Sequence, residues 1–391
     1  MDEPWHGAGI LSQTRVGKLK DDMKKKQRIG ILFGGRSGEH EISLLSAASI
    51  LKAIDKKKYD VLPIGITKHG QWLSAGEAQA LLTGGESKQP LQLSAGADLV
   101  HQSGNLTKTV DVAFPVLHGT FGEDGTIQGL FELADIAYVG SGVLGSAAGM
   151  DKDVMKKLFA AAGLPQTPYL ALSRSEWKAD PKRCTRQIEK ALQYPLFVKP
   201  ANLGSSVGIS KVHDRSELAT AMDLAAGFDR KLVIEEGVGG PGVKPRELEV
   251  AVLGNESPEA SVVGEIVPNK EFYDYESKYA DSPEDPSVPI IPARLTAAEV
   301  KEIRTTAVAA FRACDCAGLA RVDFLMEPAR KGKKARIYLN EINTMPGFTS
   351  ISMYPKLWEA SGLSYKKLID RLIVLAVERQ MEKQQTSFSR D

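Results

Sequence analysis

Two short segments near the C-terminal end, in which polar and apolar residues alternate, constrain the fold most strongly. They are residues 321–324 (RVDF) and 341–343 (EIN). A period of two predicts β-strands with one buried face. Because side chains at i and i+2 share a face, the Arg and Asp of the first segment point one way, as do the Glu and Asn of the second. The basic stretch 329–335 between them contains a glycine and predicts a hairpin turn.

The predicted hairpin groups one cation, two carboxylates and one amide on a single face: Arg321, Asp323, Glu341 and Asn343. Such a group among apolar neighbours is costly to bury unless it binds something. Oxygen ligands of this kind suit Mg²⁺ together with nucleotide phosphates. A solvated hairpin face is the alternative, and these four residues alone leave both interpretations open.

Length and charge narrow the class of protein. A chain of 391 residues is too long for one ordinary core, so two or three domains are expected. Lys and Arg total 50 against 49 Asp and Glu. A net charge of +1 does not indicate the excess of basic residues that is typical of nucleic-acid-binding proteins. We find neither an apolar run of membrane-spanning length nor the apolar core of a signal peptide, so we expect a cytoplasmic protein without membrane partners.

Two features of the sequence predict no chemistry. Residues 1–27 have no sustained periodicity, and we expect a disordered extension. Cys314 and Cys316 lie two positions apart on a predicted helix and do not face each other, so we interpret them as small core residues. Cys184 stands alone.

The N-terminal part predicts an α/β unit. A short apolar strand at 28–33 runs into the glycine-rich stretch 34–41, and a helix follows at 42–54. The spacing differs from the G-x-G-x-x-G dinucleotide fingerprint. A later strand, 110–117, ends in a glycine-dense loop that begins with His118, where the backbone is expected to approach a ligand closely. On its own, His118 is as readily an ordinary loop histidine.

The central part presents lysines to an expected anion. Asp151 is predicted to cap a helix, and Lys152 in its first turn opposes the helix dipole, which hints at an anionic partner. Lys199 ends a buried strand and precedes the Gly/Ser turn 201–209, a combination suited to phosphate binding. It is not a P-loop, because the lysine precedes the glycines. The strand 232–236 ends in two glutamates that provide acceptors for an adenine amino group or ribose hydroxyls.

The C-terminal part predicts antiparallel structure around the hairpin. Residues 246–253 alternate like a strand with one covered face. The aromatic and charged stretch 271–279 starts a long loop, which is either an active-site lid or a surface excursion. Thr296 opens a capping box for a helix running to Cys316. A second glycine-containing loop, 344–353, follows the hairpin directly.

Taken together, these segments resemble the D-alanine–D-alanine ligases of the ATP-grasp superfamily, in the family's order from about residue 28 to 375. The segments that carry the resemblance are GGRSGEHEIS (34–43), HGTFGEDGTIQG (118–129), MDKDVMKK (150–157), FVKPANLGSSVGISKV (197–212), REL-E (246–249), FYDYESKY (272–279), RVDF (321–324) and EINTMPGFTSISMYPKL (341–357). The resemblance implies an α/β chain, α+β in its C-terminal part, with an N-terminal α/β pre-ATP-grasp domain and an ATP-grasp fold. The expected domains are 28–146 for substrate, 147–240 for ATP, and 241–385 for the metal and substrate sites.

The family implies that two D-alanine molecules are joined through an acylphosphate with ATP, at two Mg²⁺ or Mn²⁺ ions, in a homodimer that supplies peptidoglycan precursors. By resemblance, Asp323, Glu341 and Asn343 hold the metals, and Arg321 with the Gly347 N–H stabilises the oxyanion. The ATP contacts that the resemblance assigns are Lys152, Lys199, Ser206, Glu235, Glu236, Val238, Glu247 and Lys278. Glu39 and His118 match the first D-alanine site, Ser352 and Met353 the second, and Ser205 and Tyr279 close over Glu39. The segment 237–245 is longer than is usual, which affects the assignments of Val238 and Glu247.

Two rival functions remain at this point. A ligase that joins D-alanine to D-lactate or D-serine shares the fold, and Tyr279 speaks against it because depsipeptide-forming relatives replace this tyrosine or rebuild its loop. A non-catalytic ATP-binding regulator is the rival from another class. It would be expected to lose metal or oxyanion residues, and all four are present.

Overall fold

The computed structural model describes residues 26–84, 110–267, 288–330 and 334–387, and three β-sheets organise them. The predicted lid at 271–279 lies outside the described residues, as does the predicted extension except for its last two residues. Within these ranges no helix is long and apolar enough to cross a membrane.

The first sheet is parallel and confirms the predicted α/β start. Its strands follow the order β2-β1-β3-β4. They are β1 (Gln27–Gly34), β2 (Tyr59–Ile66), β3 (Val112–Pro115) and β4 (Ala137–Tyr138), and the helices are α1 (His40–Ala53), α2 (Ala75–Leu82), α3 (Thr126–Leu133) and α4 (Val143–Met150). Strand β1 is buried because its apolar run packs on both faces, as expected for a parallel sheet. We did not predict α2, although its Ser74–Glu77 capping box is a readable start signal.

The second sheet is antiparallel, in the order β5-β8-β6-β7. Its strands are β5 (Tyr169–Ser173), β6 (Leu196–Pro200), β7 (Ser210–Val212) and β8 (Lys231–Glu236), and the helices of this region are α5 (Lys152–Ala161), α6 (Arg174–Ala179), α7 (Pro181–Ala191) and α8 (Arg215–Phe228). The predicted cap of α5 is confirmed, since Asp151 accepts hydrogen bonds from the first-turn N–H groups. The apolar side chains of α5, including Phe159, pack into the core of the third sheet.

The third sheet is antiparallel, in the order β11-β10-β9-β12-β13. Its strands are β9 (Arg246–Gly254), β10 (Glu259–Val267), β11 (Val288–Ile290), β12 (Gly318–Glu327) and β13 (Arg336–Asn343), with helices α9 (Ala297–Ala313), α10 (Met353–Ala360) and α11 (Tyr365–Lys383). The Thr296 capping box is confirmed. Helix α9 ends three residues before the predicted Cys316, and both cysteines of this region are buried and free, as predicted.

Helix α11 joins the first and third sheets. Leu368 and Leu372 on its buried face belong to one apolar core with Phe33 and Phe114 of the first sheet and Ala251 of the third. Burial of such residues contributes roughly 1.5–3 kcal/mol each. This helix is therefore one of the elements through which the first sheet packs against the third, which contains the hairpin β12–β13.

Candidate active site

The hairpin β12–β13 forms as predicted and gathers its four polar residues. Arg321 lies opposite Asn343, and Asp323 lies opposite Glu341. Arg321 Nε and Nη2 donate to the two oxygens of Asp323 at 2.7 Å each, and Asn343 Nδ2 donates to Asp323 Oδ2 at 2.9 Å. The side chains of Arg321 and Asp323 are only 18% and 14% exposed. The alternative of a solvated hairpin face is therefore wrong.

The hairpin forms one wall of a cleft of about 440 Å³ between the second and third sheets. The structure brings nine of the predicted ATP, metal and oxyanion residues into its lining: Lys199, Ser206, Glu235, Glu236, Val238, Glu247, Arg321, Asp323 and Glu341. A shallower groove of about 820 Å³ along α9 contains none of these residues. The cleft, and not the larger groove, is the candidate active site.

A buried charge cluster lies beside this cleft. The carboxylate of Glu235 is 3.1 Å from Lys156 Nζ and 3.0 Å from Lys199 Nζ. Burial alone would raise the pKa of Glu235, but the two ammonium groups outweigh it and lower the pKa to about 2. Sequence reasoning missed Lys156, although it lies three positions before Phe159 and so shares the apolar face of the helix, where a charge needs a partner.

The two glutamates predicted for the adenine edge are both engaged with protein groups. Glu235 is held by its two lysines, and a Glu236 oxygen accepts the backbone N–H of Gln193 at 2.8 Å. Contact of either residue with adenine stays a prediction. For Glu235, contact with adenine would use a carboxylate that already neutralises the ammonium groups of Lys156 and Lys199.

Lys152 connects the loop of the second sheet to the hairpin. Its Nζ donates to the Leu203 carbonyl at 2.8 Å and lies 3.9 Å from the Glu341 carboxylate. The side chain is 9% exposed. A lysine at the start of a helix gains nothing from the helix dipole, so its position is consistent with an anion that binds between this loop and the hairpin.

The loop between β6 and β7 reaches the N-terminal sheet through Glu39. Ser205 donates its hydroxyl to the Glu39 carboxylate, and both Ser205 and Ser206 have left-handed backbone angles (φ 51° and 59°). A Cβ on Gly119 would lie 2.4 Å from Glu39 Oε2, and one on Gly204 would lie 2.7 Å from it. Gly119 also has a left-handed φ of 76°, which favours glycine. Two loops therefore converge on the residue predicted to receive the substrate ammonium.

His118 uses both ring nitrogens within the protein. Nδ1 lies 2.9 Å from the Met345 carbonyl, and Nε2 lies 2.9 Å from Ser46 Oγ. Because a carbonyl accepts, Nδ1 carries the hydrogen and Nε2 accepts from the serine hydroxyl, whose oxygen also accepts the Phe348 N–H at 3.2 Å. Burial lowers the pKa of His118, which fits this neutral form. His118 thus holds the loop after β13, and its contact with substrate stays a prediction.

Glu123 fastens the same loop and was missed by sequence reasoning. Its two carboxyl oxygens accept the N–H groups of Gly119 at 2.8 Å and Met345 at 3.0 Å. Burial, together with the charge of Glu39, raises the pKa of Glu123 to about 8. The available signal was an acidic residue inside the glycine-dense stretch 118–125.

The loop 344–353 forms a polar corner near Gly347. Ser352 Oγ accepts the Thr349 N–H at 3.1 Å and lies 2.7 Å from the Thr349 hydroxyl. Met353 is the first residue of α10, so its N–H is one of the helix N-terminal donors that have no intrahelical acceptor. These donors suit a carboxylate, which is what the family resemblance implies for the second substrate.

The donor set of the hairpin fits magnesium. Two carboxylates and one amide supply hard oxygen ligands, and Mg²⁺ usually completes its shell with water and substrate phosphates. No three His, Cys, Asp or Glu side chains in the described ranges come together as a metal cluster. The fit therefore depends on Asp323, Glu341 and Asn343 together with a nucleotide. The predicted Lys278 and Tyr279 lie outside the described residues.

Comparison with known families accounts for most of the chain. A family described as "D-ala D-ala ligase N-terminus" matches residues 28–141, and one described as "D-ala D-ala ligase C-terminus" matches residues 158–374. The two matches cover all three sheets.

Curated relatives share about half of the residues. A D-alanine–D-alanine ligase of Bacillus cytotoxicus is 49% identical over 372 residues, which cover 93% of this chain and 99% of the relative. A D-alanine–D-alanine ligase of Geobacillus thermodenitrificans is 48% identical over 376 residues, with 93% and 99% coverage.

Solved structures share the fold. The D-alanine–D-alanine ligase from Coxiella burnetii superposes with a TM-score of 0.74 at 34% identity, covering 92% of this chain and 96% of its own. The VanG D-Ala:D-Ser ligase from Enterococcus faecalis gives a TM-score of 0.74 at 37% identity, with 90% and 100% coverage.

Proposed function

Because the chain belongs to the D-alanine–D-alanine ligase family and has its ATP-grasp fold, we propose that it joins two D-alanine molecules to D-alanyl-D-alanine with ATP. The observation that carries this proposal is the single cleft in which the hairpin face meets the lysine-bearing elements of the second sheet. The product would serve peptidoglycan precursor synthesis in the cytoplasm, and we propose a homodimer.

The reaction needs a carboxylate to become an electrophile. In this proposal Lys152, Lys199 and Ser206 hold the ATP phosphates while the first D-alanine carboxylate attacks the γ-phosphorus, which gives an acylphosphate and ADP. Lys278 is assigned to the same phosphates. Glu235, Glu236 and Val238 are assigned to the adenine edge and Glu247 to the ribose.

The second step is attack by the amine of the other D-alanine. Glu39 positions the first substrate's ammonium, and Ser352 with the Met353 N–H positions the second carboxylate. Arg321 and the Gly347 N–H stabilise the oxyanion of the tetrahedral intermediate, from which phosphate leaves. Ser205 and Tyr279 close the site over Glu39, and His118 positions the loop that carries Gly347.

Asp323, Glu341 and Asn343 would hold two Mg²⁺ or Mn²⁺ ions, which neutralise charge on the transferred phosphoryl group when bound. Their carboxylate and amide oxygens match this hard cation.

Substrate choice is tested by ADP release with D-alanine alone and with added D-lactate or D-serine. We expect D-alanine to suffice, because the relatives at about 50% identity are D-alanine–D-alanine ligases, although a D-Ala:D-Ser ligase shares the fold. Efficient formation of the D-lactate depsipeptide near neutral pH, or of D-alanyl-D-serine in preference to D-alanyl-D-alanine, would contradict the proposal. ADP release that does not depend on D-alanine would favour the non-catalytic rival.

The roles on the hairpin are tested by Asp323→Asn and Arg321→Met. Each should reduce turnover at least about 10²–10³-fold while the circular dichroism spectrum is unchanged, because one loses a metal ligand and the other the oxyanion cation. Arg28→Met is a matched control, since Arg28 forms a two-point pair with Asp111 at the surface. Near-normal turnover in either hairpin variant would refute the assignment.

A further inference from the structure

A third carboxylate stands in line with the two predicted metal ligands. Asp323 on β12 lies opposite Glu341 on β13 and opposite Glu249 on β9. Glu249 is 8% exposed and lines the same cleft. Carboxylates directly opposite one another on neighbouring strands repel each other, so a row of three requires cations nearby. None of the roles proposed above is assigned to Glu249.

Arg321 lies between two of these carboxylates. Its Nε and Nη2 donate to Asp323 at 2.7 Å each, while Nε is also 3.2 Å from Glu249 Oε2. Nε carries a single hydrogen, and this hydrogen is directed at Asp323. Glu249 is therefore close enough to attract the guanidinium, but its interaction with Arg321 is weaker than that of Asp323.

Metal binding changes this balance. A divalent cation on Asp323 would repel the guanidinium of Arg321 and weaken the two hydrogen bonds that Asp323 accepts from it, so the guanidinium and the metal compete for one carboxylate. A buried guanidinium that loses its partner is strongly disfavoured unless another carboxylate accepts it. Glu249 provides that acceptor without requiring a large movement, because it is already 3.2 Å from Nε.

We propose that Glu249 is a positioning residue that takes over Arg321 when Asp323 coordinates a divalent cation. This inference rests on the proposed function, since it assumes that Asp323 is a metal ligand. The takeover keeps the guanidinium in the cleft, where it faces the oxyanion, and frees Asp323 for the metal. Loss of the Glu249 charge would leave Asp323 as the stronger partner of Arg321 and weaken metal binding.

The test measures Mn²⁺ affinity by calorimetry in the presence of ADP, together with kcat and KM. Glu249→Gln is expected to weaken Mn²⁺ binding about 5- to 10-fold and to lower kcat more than it raises KM for D-alanine. Glu249→Asp should recover part of both effects. Glu265→Gln is the matched control, because Glu265 is a buried carboxylate on the same sheet that pairs with Arg246 at 2.6–2.7 Å. It should leave Mn²⁺ affinity unchanged.

A double-variant cycle separates takeover from a simple charge effect. In an Arg321→Met background no guanidinium competes for Asp323, so adding Glu249→Gln should no longer change Mn²⁺ affinity. A Glu249→Gln effect of equal size in both backgrounds would overturn the proposal, since Glu249 would then act on the metal directly. Wild-type Mn²⁺ affinity in Glu249→Gln alone would also overturn it.

The same measurement isolates a failure of the proposed function. If Asp323→Asn binds Mn²⁺ as tightly as wild type, the metal assignment itself is wrong. If Asp323→Asn loses Mn²⁺ and Glu249→Gln does not, only the takeover is wrong.

Discussion

Two glutamates of the site, the buried Glu235 and the partly buried Glu123, have opposite electrostatic surroundings. Glu235, beside the nucleotide cleft, lies between two ammonium groups, and its pKa is lowered to about 2. Glu123, under the loop after β13, has two backbone N–H groups as partners, and its pKa is raised to about 8. Burial disfavours the charged form in both places, so the difference comes from the neighbours. Beside the cleft, Glu235 is held by fixed charges, and we call this the charged side. Under the loop after β13, Glu123 and His118 are held by hydrogen bonds with neutral groups, and we call this the neutral side.

The largest expected effect comes from removing the charge of Glu235. Glu235→Gln leaves Lys156 and Lys199 buried without their counter-ion, and we expect the free energy of unfolding to fall by about 3–5 kcal/mol. Chemical denaturation at neutral pH measures this loss. Glu217→Gln, which removes an exposed carboxylate paired with His213, should show no measurable change. A loss as small as that of Glu217→Gln would show that the two lysines are held by something else.

The pH dependence of stability should have opposite signs for the two glutamates. The folded-state pKa of Glu123 lies above its unfolded value of about 4.5, so its contribution is complete below pH 4.5 and is lost as pH rises to about 8. The contribution of Glu235 is complete above pH 4.5 and is lost as pH falls towards 2. Each slope is at most about 1.4 kcal/mol per pH unit.

Subtracting the stability of each Gln variant from that of the wild type, at pH values from 3 to 9, isolates the two slopes by denaturation. The Glu123→Gln difference should shrink between about pH 5 and 8, and the Glu235→Gln difference should be flat there. If the two differences in stability changed with pH in the same way, the pKa values of Glu123 and Glu235 would not be shifted in opposite directions.

A smaller effect is expected for Ser46→Ala on the neutral side. The serine donates to His118 and accepts the Phe348 N–H, so its loss removes two hydrogen bonds worth about 1 kcal/mol each. Differential scanning calorimetry measures the stability, and kcat should fall because the loop that carries Gly347 is less firmly held. Ser49→Ala, whose hydroxyl bonds only within α1 among the contacts found, is the control. Unchanged stability and kcat in Ser46→Ala would show that these two hydrogen bonds do not hold the loop in place.

The smallest effect is expected for Lys157→Met on the charged side. Lys157 adjoins Lys156 but is 66% exposed and pairs with Asp153 at 2.8 Å. Its loss should cost less than about 0.5 kcal/mol by chemical denaturation, as is typical of exposed i,i+4 pairs. A cost comparable to that of Glu235→Gln would mean that the exposed pair of Lys157 contributes as much stability as the buried pair of Lys156.

The sequence by itself determined much of this protein. Alternation in 321–324 and 341–343 determined the hairpin and its polar face, since side chains at i and i+2 must share a face of a strand. Asp151 and Thr296 marked helix starts, because capping is a local interaction. The order of short motifs determined the family, which the comparisons then confirmed.

Only the tertiary structure decided which buried charges meet. Lys156 and Glu235 are 79 positions apart in the chain, as the numbering gives, and no local pattern joins them. Glu123 and Met345 are 222 positions apart and meet where the first sheet packs against the third in one apolar core. Sequence periodicity predicts the face on which a side chain lies, but the partner across that face depends on how separate sheets pack. The free energy of a buried charge depends on that partner, and so does the difference between Glu235 and Glu123.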